Sequence, residues 1–242
     1  MSLSRPEAKK AESPVNAYYR WNSQSKCFID NQEKKEIKKL VFIVLDDSVK
    51  MLRGYNEAKG WGVYTNKIVD LRSQPFTLFN DGGVPLHPSK QSPGSGLYSE
   101  DKEKFAYHKA KYTQVMYVYV PNVGIVEIKA SGAFLRELFE IQKTLGLRSF
   151  VGKVFVWEGG SNAHKKGVVE YHVPDFKSIR DADPDGAVYE EALNADKALQ
   201  DYIDQTARKT ITNVGNNEFD DTDEPDVDDD KIPETNNDDL PF

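Results

Sequence analysis

The chain has 242 residues, 39 of them acidic and 32 basic, giving a net charge of −7, and it contains a single cysteine, Cys27. Its longest unbroken apolar runs, 40–45 and 115–120, fall far short of the roughly 20 residues that span a bilayer, so no membrane span is expected. A lone Cys27 excludes an internal disulfide and reads as a small buried hydrophobe; with no apolar stretch of signal type between Met1 and Asn16, a cytoplasmic location is expected.

The net charge hides a strong asymmetry. Residues 1–180 carry 28 basic and 19 acidic side chains, net +9, whereas residues 216–242 carry twelve acids and only Lys231, net −11. In chain order, residues 1–36 read as a polar N-terminal arm that docks through Tyr18-Tyr19-Arg20-Trp21 and Cys27-Phe28-Ile29. Residues 37–180 form the main domain. Runs 40–45, 49–55, 62–65 and 76–79 are strand-like, each bounded by Gly, Asn or Asp, and 112–120 and 124–129 flank a Pro121-Asn122 turn. Residues 80–96, with Pro85, Pro88 and Pro93, read as a long loop.

A helix is expected from an N-cap at Ser131, with Leu135, Leu138, Phe139, Gln142 and Leu145 on one side, to a stop at Gly146. Strands 150–157 and 167–174 follow, separated by a flexible loop, 159–166, that ends in Lys165 and Lys166. Residues 181–215 hold a second helix, about 187–211, whose stripe Val188, Ala192, Ala195, Leu199, Ile203 and Ala207 needs a partner surface, either on the main domain or on another copy in a homo-oligomer. Residues 216–242 are disordered by composition. The expected fold is therefore mainly β: an OB-fold-like five-stranded Greek-key barrel with added strands, one helix between strands 3 and 4, a C-terminal helix and a disordered acidic tail.

Cations and rings interleave along the main domain. Single-stranded nucleic acid is held by a cationic groove that follows phosphates and by aromatic faces on which bases stack. Candidates for that role are Arg20, Trp21, Arg53, Tyr55, Lys59, Trp61, Tyr64, Lys67, Lys109, Lys111 and Tyr112, with Lys165 and Lys166 on the loop joining barrel strands 4 and 5. Trp61 is flanked by Gly60 and Gly62, which suits a presented ring.

The C-terminal tip, Asp238-Asp239-Leu240-Pro241-Phe242, resembles that of bacterial single-stranded DNA-binding proteins, in which aspartates precede an aliphatic residue, proline and a final phenylalanine. Podovirus proteins of the same function also end in an acidic tail with a terminal aromatic. The segment Phe42-Ile43-Val44-Leu45-Asp46, with Arg53-Gly54-Tyr55 and Tyr64-Thr65-Asn66, resembles phage-encoded OB-fold single-stranded DNA-binding proteins. The resemblance implies a non-enzymatic protein that coats single-stranded DNA during replication, recombination or repair, needs no cofactor, and recruits partner proteins through Asp238, Asp239, Leu240, Pro241 and Phe242. For a phage-encoded chain the location is the host-cell cytoplasm. The size, the loop 80–110 and the second helix depart from the bacterial pattern, so the bacterial tetramer is not implied.

Competing motifs are incomplete. Asp181-Ala182-Asp183-Pro184-Asp185-Gly186 copies the first half of a calcium loop, but Ala192 stands where a bidentate Glu is required. Asp46-Asp47 after a buried strand supports the alternative of a metal-dependent nuclease, and a third reading is an acidic DNA mimic that binds basic partners. His87, His108, His164 and His172 follow no metal-ligand spacing, and Gly94-Ser95-Gly96 lacks the Lys of a phosphate loop.

Overall fold

The structure, a computed structural model, describes residues 12–56, 60–90 and 92–208. The acidic segment 216–242 with its tip Asp238 to Phe242, and also Lys59, lie outside the described residues. The N-terminal stretch does more than dock: it supplies strands Ala17–Asn22 (β1), Cys27–Asp30 (β2) and Lys35–Ile37 (β3). Asx turns make the reversals between them. Asn22 Oδ1 accepts the amides of Gln24 and Ser25, and Asp30 Oδ1 those of Gln32 and Glu33.

The next strand, Leu40–Asn56 (β4), joins two runs that the sequence separates. The break at 46–48 is a pair of register shifts inside one strand, where Asp46 Oδ1 accepts both the amide and the hydroxyl of Ser48. Then come Trp61–Thr65 (β5), Phe76–Asn80 (β6), the short Ser95–Gly96 (β7) and a helix, Tyr98–Tyr107 (α1), inside what reads as a long loop. Helix α1 leaves little periodic signal because only Tyr98 and Phe105 are buried and the residues between them are mostly charged. The turn after it presses on β4. A Cβ on Gly54 would sit 2.0 Å from the Lys109 carbonyl oxygen, so only glycine fits there.

Strands Lys111–Val120 (β8) and Gly124–Ser131 (β9) form the expected hairpin, and helix Gly132–Leu145 (α2) stops at Gly146 in the left-handed conformation, φ 65°. Ser131 precedes α2 in extended conformation but makes no side-chain capping bond. The hairpin Lys153–Lys166 (β10) and Val169–Asp181 (β11) corrects the loop expected at 159–166. Gly159-Gly160 mark a shift of register between Trp157 and Ser161, and pairing then resumes to Lys166 opposite Val169. The last helix, Ala187–Ile203 (α3), continues into one π-helical turn, Asp204–Arg208.

These strands make one mixed sheet in the order β3-β2-β1-β9-β8-β4-β5-β6-β7, with β10 paired to the first part of β4 and β11 to β10. Among the described residues only β1 and β9 run parallel. The sheet separates two apolar clusters. Leu40, Phe42, Leu52, Met116, Val126, Phe155 and Trp157 pack on one face with Phe134, Leu135 and Leu138 of α2. On the other, Ile43, Val49, Met51, Val115 and Tyr117 meet Ala192, Leu199 and Ile203 of α3 and Ala207 of the π-helical turn. The stripe on α3 is thus covered within the chain, leaving Val188 exposed at its start. Among the described residues no helix is long and apolar enough to cross a membrane.

Candidate nucleic-acid interface

Side chains alternate across a strand, and residues directly opposite one another in a sheet share a face. In β8, Val115, Tyr117 and Tyr119 join the α3 cluster while Tyr112, Met116 and Val118 join the α2 cluster. Lys111 therefore belongs to the α3 face. By the same parity so do Met51, Arg53 and Tyr55 of β4, Glu127 and Lys129 of β9, and Tyr18 and Arg20 of β1. The register then lines up a row: Lys111 opposes Arg53, Arg53 opposes Tyr64, and Tyr64 opposes Phe79. Farther along the same face Arg20 opposes Lys129.

Two cation–cation pairs therefore lie on one face, separated along β8 by residues 112–114, which stand between Lys111 and Val115, the residue opposite Lys129. Like charges placed opposite each other disfavour pairing in a sheet by up to about 1 kcal/mol, and the fold offsets this at Lys129, whose Nζ lies 3.6 Å from Glu127 Oε1. Beside them, Tyr64 stacks on Phe79 with ring centroids 5.5 Å apart, and Tyr55 is 44% exposed. The Arg20 Nε is buried and makes no hydrogen bond among the described residues.

Lys67 lies on the same face but is turned inward. Its Nζ is 2.7 Å from Glu127 Oε2 and 5.7 Å from the centre of the Tyr117 ring. Burial draws its pKa down, yet Glu127, Tyr117 and Tyr202 outweigh that and hold the ammonium well above the usual lysine range. Burial likewise raises the Tyr117 phenol, with Lys67 opposing and Glu127 and Tyr202 adding to the shift.

The other candidates are elsewhere. Trp21 and Tyr112 are on the α2 face: Trp21 packs edge-on to Phe28 and Trp157 and donates its Nε1–H to the His172 carbonyl, and Tyr112 is 7% exposed against Tyr98. Neither ring is presented for stacking, because each fills the core that its strand parity dictates. Trp61 sits opposite Asn56 at the end of the β4–β5 ladder. Lys109 is exposed in the turn before β8, with φ 55°. Lys165 is exposed near the end of the β10–β11 hairpin and opposes Glu170, with Lys166 next to it opposite Val169.

Sequence reasoning missed Lys129, Phe79 and Glu127. The alternation Ile125, Glu127, Lys129 against Val126, Ile128, Ala130 carries the signal for two of them, but only the register brings Lys129 to Arg20. The Asp46-Asp47 pair has structural work: Asp47 accepts the Ser149 hydroxyl and the Phe150 amide at 2.7 Å each, and Asp46 faces Arg208 at 3.7 Å. Asp181 pairs with Lys153, and the turn Asp183–Gly186 opens α3. Among the described residues no group of three or more His, Cys, Asp or Glu could hold a metal ion. No family model, curated protein or solved structure matches this chain.

Proposed function

We propose that this chain is a non-enzymatic protein that binds single-stranded DNA without sequence specificity and recruits replication or recombination proteins through its acidic tip. The observation that carries the reading is the doubled cation pairing, Arg53 with Lys111 and Arg20 with Lys129, on one sheet face beside Tyr55 and Tyr64. Phosphates fit between paired cations, and bases fit on the adjacent rings, at roughly 1 to 3 kcal/mol per stacked base. The order β4, β8, β9, α2, β10, β11 supports an OB-type arrangement, with β5, β6, β7 and α1 inserted after its first strand. It departs from a closed barrel because the outer side of β9 is occupied by β1 instead of β11.

The described chain ends beside this face. Gln74 Nε2 donates to the carbonyls of Ala207 and Arg208, and Arg208 faces Asp46, which opposes Tyr117. In this reading residues 216–242, of net charge −11, compete with DNA for the cations at high effective concentration, and bound DNA releases them for partners. In that role the Phe242 ring fills an apolar pocket and its carboxylate meets a cation, while the aspartates steer the encounter.

Fluorescence anisotropy with labelled oligo-dT tests the reading. Binding at low salt, weakening by about 0.7 log units per neutralised phosphate for each log unit of salt, is the expected result, with the oligonucleotide left intact in Mg²⁺. Absence of binding at low salt ends the proposal. Deleting residues 238–242 leaves DNA affinity unchanged or raised while partner capture is lost; a fall in DNA affinity would show that the tail has another role.

A further inference from the structure

Glu127 opposes the function of the face that holds it. Its side chain is 1% exposed at the middle of β9, with Lys67 Nζ at 2.7 Å from one carboxylate oxygen and Lys129 Nζ at 3.6 Å from the other. Arg20 is the neighbour of Lys129 across the β1–β9 ladder, and Tyr18 is the neighbour of Glu127. One carboxylate thus shares two lysines. It subtracts a full charge from the cations that would otherwise meet phosphate, and it holds Lys67 down across the Tyr117 ring.

A surface that only needs affinity for a polyanion gains nothing from a buried acid beneath its lysines. Selectivity supplies the reason. Duplex DNA has the denser phosphate array, and each neutralised phosphate contributes more there, about 0.9 log units per log unit of salt against about 0.7 on a single strand. Stacking on rings is open only to unpaired bases. Trimming cationic charge from a face that also presents Tyr55 and Tyr64 therefore weakens duplex binding more than single-strand binding.

From this arrangement, and resting on the nucleic-acid reading above, we infer that Glu127 is a specificity-determining residue that sets the preference for single-stranded over double-stranded DNA by neutralising part of the charge of Lys67 and Lys129. Glu127→Gln releases one cation to phosphate. At 0.1 M salt it raises affinity for oligo-dT about fivefold and for a duplex of the same length about eightfold, and steepens the salt slopes by about 0.7 and about 0.9. Lys67→Met acts in the opposite sense, because Glu127 then draws more strongly on Lys129: both slopes become shallower and the preference for the single strand grows.

The test is a salt titration of oligo-dT and duplex binding by the full-length protein and both variants, with thermal unfolding recorded alongside. Opposite movements of the two variants in slope and in single-strand preference are the expected result, and either variant alone decides if the other does not fold. Unchanged slopes, or proportional losses on both nucleic acids in both variants, would make the pair purely structural and overturn the inference. Should the unaltered protein bind neither nucleic acid, the nucleic-acid reading itself fails, which is a distinguishable outcome.

Discussion

The triple variant Arg53→Ala/Tyr55→Ala/Lys111→Ala loses at least about a hundredfold in affinity for oligo-dT at 0.1 M salt. Each cation that neutralises a phosphate contributes about fivefold under those conditions, and a stacked base contributes roughly 1 to 3 kcal/mol, or about fivefold at the low end. The three residues form one contiguous patch, Arg53 opposite Lys111 with Tyr55 two residues along the same strand. None of the three is buried, so the thermal unfolding midpoint stays close to that of the unaltered protein. The salt slope falls by about 1.4, the share of two phosphates. Anisotropy titrations across salt read both quantities, and a wild-type slope in the variant would remove Arg53 and Lys111 from the interface.

Phe155→Ala destabilises the fold by about 3 to 5 kcal/mol, the usual range for removing a fully buried phenyl ring. Phe155 is 0% exposed. It stacks on Phe42 at 5.0 Å, meets Phe150 edge-on at 5.0 Å and Phe176 edge-on at 4.9 Å, so its loss leaves a cavity bounded by three rings. Since β10 is tied to β4 through Phe155 opposite Phe42, the damage falls where the β10–β11 hairpin joins the sheet. Urea unfolding measures the effect; a loss below about 1 kcal/mol would mean that the site collapses to fill the space.

The sequence carries the strands well where alternation or an unbroken apolar run is strong, as in 40–45, 112–120 and 124–129, and it carries the end of α2 because Gly146 takes the left-handed conformation there. It misleads where glycine has two meanings. Gly159 and Gly160 mark a bulge within β10, although the same residues suit a loop. Helix α1 escapes because a helix that buries only Tyr98 and Phe105 need not repeat apolar residues each turn. The N-terminal strands escape because β1 is stabilised by a parallel partner, β9, more than a hundred residues away along the chain.

The candidate interface shows the same limit. Cations near rings in sequence are visible at once, but adjacent residues in a strand face opposite ways, so proximity along the chain is a poor guide to a shared surface. Arg20 and Trp21 part in this manner, as do Lys111 and Tyr112. What assembles the face is pairing between distant strands, which brings Lys111 to Arg53 and Lys129 to Arg20. Lys67 has the right charge and the right face, and Glu127 turns it inward.

The most direct measurement is a crystal structure of the full-length protein with bound oligo-dT. Helix α3 covers Val49 and Val115, which lie between the two cation pairs. The account therefore predicts a strand that skirts α3, with a phosphate between Arg53 and Lys111, another near Arg20 and Lys129, and thymine rings against Tyr55 or Tyr64. A strand held on any other surface, with those four cations facing solvent, would contradict it.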